Sequence, residues 1–256
     1  MTDLQIAIKA AREAGVFLQK HYSATNLRNY HLKHKTQIVT VGDTGAEKII
    51  LRLLQKHSSY PILSEEAGWV GKQSDSAWIV DPLDGTTNFT IGSPIFAVSI
   101  ALVKNNQPIL ACVYAPVLNI LYTALAGKGA WKNGKKIKVA NTKNLKQSFV
   151  TYCHGSTMKD VMESIAIEKV MRQKALEVRQ LGAASVELAL VASGRTDTII
   201  IPGAHAWDVA AGVLLVREAG GKVTDFKNKN WHFGSRDMLA SNGRVHQSLI
   251  SAVNKL

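Results

Sequence analysis

Residues 78–89 read W-I-V-D-P-L-D-G-T-T-N-F, a short apolar run that ends abruptly in two carboxylates, a glycine and two hydroxyls. The pattern is that of a strand delivering ligands. Asp81 and Asp84 stand three apart across Pro82, which cannot donate to a strand ladder and bends the chain, so both side chains can turn toward one point. Two close carboxylates repel unless a cation sits between them. Hard oxygen ligands suit Mg²⁺, and Gly85, Thr86 and Thr87 offer unhindered backbone N–H groups at a helix start, where a phosphate can be held. The competing reading is a turn in which both acids merely cap and solvate the bend.

Two other acidic stretches bear on that choice. Glu65 and Glu66 follow a short strand expected over 60–64, and adjacent residues on a strand point oppositely, so the two should not do the same job. Asp208, in W-D-V-A-A-G, opens an apolar helix, where the helix dipole favours an acid for structural reasons alone. Asp43 precedes a helix expected over about 44–57. It can cap that helix, or Thr44 and Glu47 can form the capping box and leave Asp43 free.

In this order, E-E, then D-P-x-D-G-T-T-N-F, then W-D-x-A-A-G resemble the inositol monophosphatase family of Mg²⁺-dependent, lithium-sensitive sugar and nucleotide phosphatases. The resemblance runs from Asp43 to the L-A-S-N of residues 239–242. It implies an α/β layered sandwich, αβαβα, with largely antiparallel sheets. It also implies two or three Mg²⁺ ions on Glu65, Asp81, the Leu83 carbonyl, Asp84 and Asp208, with Glu66 one step removed or at an additional ion. Asp43 and Thr86 would orient a water activated by the metal, and backbone N–H groups of Gly85, Thr86 and Thr87 would steady the phosphate. The reaction implied is hydrolysis of a small phosphorylated sugar or polyol without a covalent intermediate, by a protein that is often a homodimer.

The substrate wall implied comprises Gly182, Ala183, Ala184, Ile201 and His205. Inositol-preferring members carry a Glu seven residues before the Asp of W-D; here that residue is Ile201, which cannot accept those hydrogen bonds. Inositol 1-phosphate, a 3′-phosphoadenosine-type nucleotide, histidinol phosphate and fructose 1,6-bisphosphate therefore stay open. The T-T-N-F continuation leans toward the inositol side. A non-catalytic protein that meets RNA or a protein partner on the same scaffold is the reading of another class.

Charge sharpens that alternative. The 256 residues carry 31 Lys and Arg against 19 Asp and Glu, a formal net charge of +12. No acid occurs between Asp84 and Asp160, an interval holding Lys104, Lys128, Lys132, Lys135, Lys136, Lys138, Lys143, Lys146 and Lys159. Such a surface attracts anions, whether a phosphorylated substrate or nucleic acid, or is simply a solvated lysine-rich face. No recognition helix or RNA-binding signature accompanies it. No apolar run approaches the roughly 18 to 20 residues of a membrane helix, and the N-terminus begins no signal sequence, so a cytoplasmic location is expected. Cys112 and Cys153, widely separated, read as reduced structural thiols.

Two halves are expected, 1–140 carrying most metal ligands and 141–256 carrying Asp208 and the substrate wall. The first begins with a helix whose capping box is Thr2 and Gln5 and whose apolar stripe runs through Leu4, Ile8, Ala11, Gly15 and Leu18. Residues 28–35 show no period, 37–41 read as extended, and 68–76 as a polar loop able to move over the site. Strands over 95–103, 109–115 and 119–124 and a hairpin turning at Asn133-Gly134 follow, antiparallel because their connections are short. The second half alternates strands near 148–152, 177–181, 196–201, 222–226 and 238–241 with helices near 159–172, 182–193, 207–219 and 245–253.

Overall fold

A computed structural model describes residues 1–22, 30–34 and 37–256. Helix α1 (Asp3–Tyr22) opens on the expected box, Thr2 N–H donating to Gln5 Oε1 at 2.9 Å and Gln5 N–H to Thr2 Oγ1 at 3.3 Å. Its buried face runs through Ile6, Ala7, Ala10, Ala11, Ala14 and Leu18, so Leu4 and Ile8 fall on the flank of the stripe rather than its centre. Strands β1 (Tyr30–His34) and β2 (Gln37–Thr40) pair antiparallel, which places a strand in the stretch without a period; residues 28, 29 and 35 of that stretch lie outside the described residues. Helix α2 (Val41–His57) starts three residues earlier than its sequence suggests. At Gly45 a Cβ would come within 2.1 Å of the Phe17 ring, so glycine leaves room for that ring of α1 against α2.

The first sheet contains β3 (Ile62–Ser64), β4 (Gly68–Val70), β5 (Ala77–Asp84), β6 (Ala97–Lys104), β7 (Gln107–Ala115), β8 (Ile120–Leu125), β9 (Gly129–Lys132) and β10 (Lys135–Ile137). Their spatial order is β10-β9-β8-β7-β6-β5-β3-β4, and only β3 and β5 run parallel. Part of the expected loop over 68–76 is thus strand β4, folded back on β3. Helix α3 (Thr86–Ile91) links β5 to β6. The second sheet, order β12-β11-β13-β15-β14, contains β11 (Phe149–Tyr152), β12 (Glu177–Arg179), β13 (Thr198–Ile201), β14 (Lys222–Thr224) and β15 (Met238–Ser241). Helices α4 (Met158–Lys174), α5 (Ala184–Ala192), α6 (Ala206–Glu218) and α7 (His246–Val253) complete the chain.

Strand alternation explains the layers, because successive side chains leave opposite faces of a sheet. Trp78 and Val80 point into a cluster with α1 and α2, whereas Ala77 and Ile79 point into another with α5 and α6. In the second sheet Ile199 and Ile201 face that same α5/α6 layer, while Ile200 faces α4 and α7. The stack is therefore helix, sheet, helix, sheet, helix, as the resemblance implies. Its central layer is tight: at Gly212 of α6 a Cβ would lie 2.4 Å from Leu188 of α5. No helix among the described residues is long and apolar enough to cross a membrane.

One buried histidine ties the second sheet to α7. Thr224 Oγ1 donates to the Asp225 carbonyl at 2.8 Å and so accepts from His246 Nε2 at 2.9 Å; Ser241 Oγ, accepting from Gly243 N–H, donates to Nδ1 at 2.9 Å. This network assigns the Nε2–H tautomer. Burial, then the nearby Lys222 ammonium, push the imidazole down to about 4. Both states hold it neutral above about 6.5, and as pH falls from there toward 4 the unfolded chain takes up the proton first. Stability is therefore lost on acidification, by ~2 kcal/mol at pH 4.5 after allowance for screening. His246→Gln should melt lower than the parent at pH 8 but lose less between pH 8 and 4.5, a comparison of four melting curves.

Candidate active site

The bend forced by Pro82 shows in the pairing of β5 with β6, where Asp81 faces Ser99 and Asp84 faces Ala97 across an irregular register. Every residue of β5 is buried, so the two acids are carried inward. Gly85 then takes φ +91°, a left-handed conformation that starts α3, and a Cβ on it would sit 3.0 Å from the Ile95 carbonyl. Asp81 Oδ1 accepts Leu83 N–H at 2.9 Å. Asp84 reaches 100 residues along the chain to the start of α5, accepting Ala184 N–H at 3.0 Å, Ser185 N–H at 2.8 Å and Ser185 Oγ–H at 2.5 Å.

These groups open on a cavity of about 470 Å³ whose lining includes Glu65, Asp81, Leu83, Asp84 and Asp208. Gly85, Thr86 and Thr87 form one wall; Gly182 and Ala184 form part of another. His205 lines an adjoining hollow of about 300 Å³ that shares Glu65, His154 and Asp208, and its ring stacks on Trp207 at 4.8 Å. Ala183 and Ile201 are only 1 % exposed and line neither space; Ile201 points into the core between the second sheet and α5/α6.

Asp43 stands behind Thr86 and serves two structures at once. Its Oδ2 accepts both the N–H and the Oγ1–H of Thr40, each at 2.6 Å, which makes Thr40 rather than Thr44 the cap of α2. Its Oδ1 accepts Thr86 Oγ1–H at 2.8 Å. Asp43 is thus the third residue of the Thr40 capping box and not the cap itself, and its second oxygen is left for Thr86. Glu65 and Glu66 lie in the turn between β3 and β4 rather than on a strand, so strand alternation does not separate them.

That turn is fixed by Glu47, which the sequence offers only as a capping partner of Thr44. Glu47, buried on α2, accepts Ser64 Oγ–H at 2.5 Å and the N–H groups of Glu66 and Ala67 at 3.3 and 3.0 Å. The available signal was an acid on the apolar face of α2, one turn beyond Asp43. A second such acid is Glu187, fully buried on α5, whose Oε1 accepts Cys153 Sγ–H at 3.0 Å and the N–H groups of Leu181 and Gly182 at 3.1 and 3.0 Å. It pins the Leu181–Gly182 wall of the cavity, and burial raises it to about 7.

Like charges crowd the cavity. Burial, then Glu65, Asp84 and Asp208, hold Asp81 well above the usual carboxylate range; burial, then Glu65 and Asp84, do the same to Asp208. Asp84 rises to about 6 because burial outweighs its bonds to Ser185 and Ala184. Burial likewise raises Asp43 against its bonds to Thr40 and Thr86. Four mutually repelling carboxylates with one backbone carbonyl, Leu83, form an all-oxygen donor set that suits a hard divalent cation. Among the described residues no three Asp, Glu, His or Cys side chains close into a finished cage. Asp81 accepts from an amide, and Asp84 from amides and a hydroxyl.

The sequence profile of the inositol monophosphatase family matches residues 2–256. Nus factor SuhB of Pasteurella multocida is 37 % identical over 255 residues, covering 98 % of this chain and 95 % of that protein. Inositol-1-monophosphatase of Mesorhizobium japonicum is 37 % identical over 263 residues, covering 98 % and 96 %. The crystal structure of extragenic suppressor protein suhB from Bartonella henselae superimposes with a TM-score of 0.91 at 34 % identity, covering 98 % of each chain. Profile, relatives and architecture agree from end to end, and this chain belongs to the inositol monophosphatase family.

Proposed function

We propose that the protein is a Mg²⁺-dependent phosphate monoester hydrolase acting on a small phosphorylated sugar or polyol. The convergence of Glu65, Asp81, Asp84 and Asp208 on one cavity beside the Asp43–Thr86 pair carries this reading. Two or three Mg²⁺ ions would be held by those four carboxylates and the Leu83 carbonyl, with Glu66 at the margin; bound there, they neutralise phosphate oxygens and lower the proton affinity of water. The 1–140 half would supply most of these ligands and the 141–256 half Asp208 and the substrate wall.

The protein's own groups would do the rest. Thr86 Oγ1, its proton committed to Asp43 Oδ1 or to the Leu83 carbonyl 3.0 Å away, presents a lone pair that orients the attacking water. Asp43, raised by burial, is suited to receive the proton released in the attack. Backbone N–H groups of Gly85, Thr86 and Thr87 steady the transferring phosphoryl group. No Ser, Cys or His nucleophile is needed: Cys153, the thiol at the cavity, is held well above its usual range by burial, then by Glu187, and so is poorly nucleophilic. Glu187 fixes the wall against which the leaving group rests.

The substrate is small, and the buried Ile201 leaves recognition of its hydroxyls to His205, with Gly182 and Ala184 shaping the wall. Phosphate release from inositol 1-phosphate, adenosine 3′,5′-bisphosphate, fructose 1,6-bisphosphate and histidinol phosphate, each with Mg²⁺ and with chelator, tests the proposal. Mg²⁺-dependent release from a sugar or polyol phosphate is expected, and no release from any of the four overturns it. Glu47→Ala leaves the donors on Ser64, Glu66 and Ala67 without their acceptor and should raise the Mg²⁺ concentration for half-maximal rate about tenfold, read from a Mg²⁺ titration. Buried, unpaired thiols and the family's habit of pairing fit a cytoplasmic homodimer. Relatives named Nus factor support a second reading, a regulator of RNA or protein partners on this scaffold.

A further inference from the structure

The cations of the acid-free interval are gathered at one place by the fold. Hairpin β9–β10 turns at Asn133 (φ +47°) and Gly134 (φ +76°), which sets Lys132 directly opposite Lys135. Like charges in that position repel. The turn is stapled in place, Asn133 N–H donating to the Leu121 carbonyl and Leu121 N–H to Asn133 Oδ1, both at 2.8 Å. Lys132 Nζ rests 5.7 Å from the centre of the Tyr122 ring. Arg195, more than sixty residues later in sequence, acts on the same tyrosine: its charge opposes the rise that burial imposes on the hydroxyl. The loop carrying Arg195 packs on the chain at Lys138, where a Cβ on Gly194 would meet the Lys138 carbonyl at 3.1 Å. Lys132, Lys135, Lys138 and Arg195 thus crowd the free edge of the first sheet, the last three exposed.

Among the described residues none of these four makes an ion pair, although Arg52, Arg172, Arg179 and Arg236 all do. Glu218, at the base of the hairpin, has both oxygens engaged by the N–H groups of Gly127 and Gly129. Lysine on an edge strand discourages unwanted strand pairing, which accounts for Lys135. It does not account for Lys138 and Arg195, which lie off the strand. A fixed cluster of uncompensated cations is costly alone and favourable against a polyanion.

We propose that this edge, built from Lys132, Lys135, Lys138 and Arg195, binds the phosphate backbone of nucleic acid without reading base sequence. An acidic protein is the less suitable ligand, because protein interfaces draw their energy from buried aromatic and aliphatic anchors. No large apolar side chain is exposed on β8, β9, β10 or the loop after α5. Phosphate contacts need only cations, and affinity then falls steeply with salt.

The experiment is fluorescence anisotropy of a labelled 20-nucleotide poly(U) RNA titrated with the full-length protein from 25 to 300 mM KCl. A triple variant, Lys132→Gln, Lys135→Gln and Lys138→Gln, is compared with a control in which Lys9, Lys20 and Lys48 of α1 and α2 become Gln. Removing three phosphate contacts should flatten the slope of log K against log salt by about two and weaken binding at 50 mM at least tenfold, with the control unchanged. Arg195→Gln should flatten it by less than one. Equal weakening in the control, an unchanged slope in the triple variant, or displacement of the RNA by poly-glutamate of matched charge at matched concentration overturns the proposal. Melting temperatures of both variants, expected to stay within a few degrees of the parent, show that each folds.

Discussion

Asp84→Asn should lower Mg²⁺-dependent phosphate release by about a thousandfold, roughly 4 kcal/mol of transition-state stabilisation, while the protein stays folded. Asparagine keeps the shape and one acceptor, so the N–H groups of Ala184 and Ser185 retain part of their partner. What it removes is a charge from a set of four, and with it the repulsion that Asp84 exerts on Asp81 and Asp208. The sign of the stability change with pH follows. A buried carboxylate raised to about 6 is protonated in both states below about 4, so the cation-free protein loses stability as pH climbs from about 4 through 6. Mg²⁺ should reverse that loss, raising the parent's melting temperature more at pH 8 than at pH 5. In Asp84→Asn the cation-free melting curve should be flatter with pH and the Mg²⁺ shift largely gone. Activity within tenfold of the parent would sink the assignment of Asp84 as a ligand, whatever the melting curves show.

The parts of this site that were legible in the sequence are those set by local covalent constraint. Pro82 must break the ladder and Gly85 alone accepts its left-handed turn cheaply, so the bend and the helix after it could be read from D-P-L-D-G. Asp208 could not be placed beside Asp81 by any local rule; only the joint order of motifs suggested it, and the cavity brings them together. The cap of α2 is ambiguous in the sequence because Thr40 with Asp43 and Thr44 with Glu47 fit the same spacing. The competition is decided by tertiary contacts, Glu47 being drawn away to Ser64 and the turn behind it. Strand β4 is not legible because three residues between Ala67 and Gly71 carry no period, and its existence depends on pairing with β3. Ile201 was assigned to the substrate wall by its position before W-D, yet alternation along β13 sends Ile199 and Ile201 together into the α5/α6 layer. Buried acids on apolar helix faces, Glu47 and Glu187, were visible as oddities whose partners only the fold supplies.

Asp43 allows the two kinds of information to be separated by experiment. Its two oxygens hold different elements, so removing each partner should affect a different observable. Thr40→Ala deletes the hydroxyl that caps α2 and donates to Oδ2, and should lower unfolding free energy by about 1 kcal/mol with turnover within about twofold. Thr86→Ala deletes the hydroxyl between Asp43 and the cavity, and should lower turnover about a hundredfold with little change in stability, since Oδ2 keeps Thr40. Urea unfolding and phosphate release measured on both variants give four numbers. If Asp43 merely staples α2 to α3, both variants lose stability alike and neither loses much rate. If the carboxylate handles the proton, Asp43→Asn should lose rate as Thr86→Ala does and flatten the acid limb of the pH–rate profile as well, an effect that loosened packing alone does not produce.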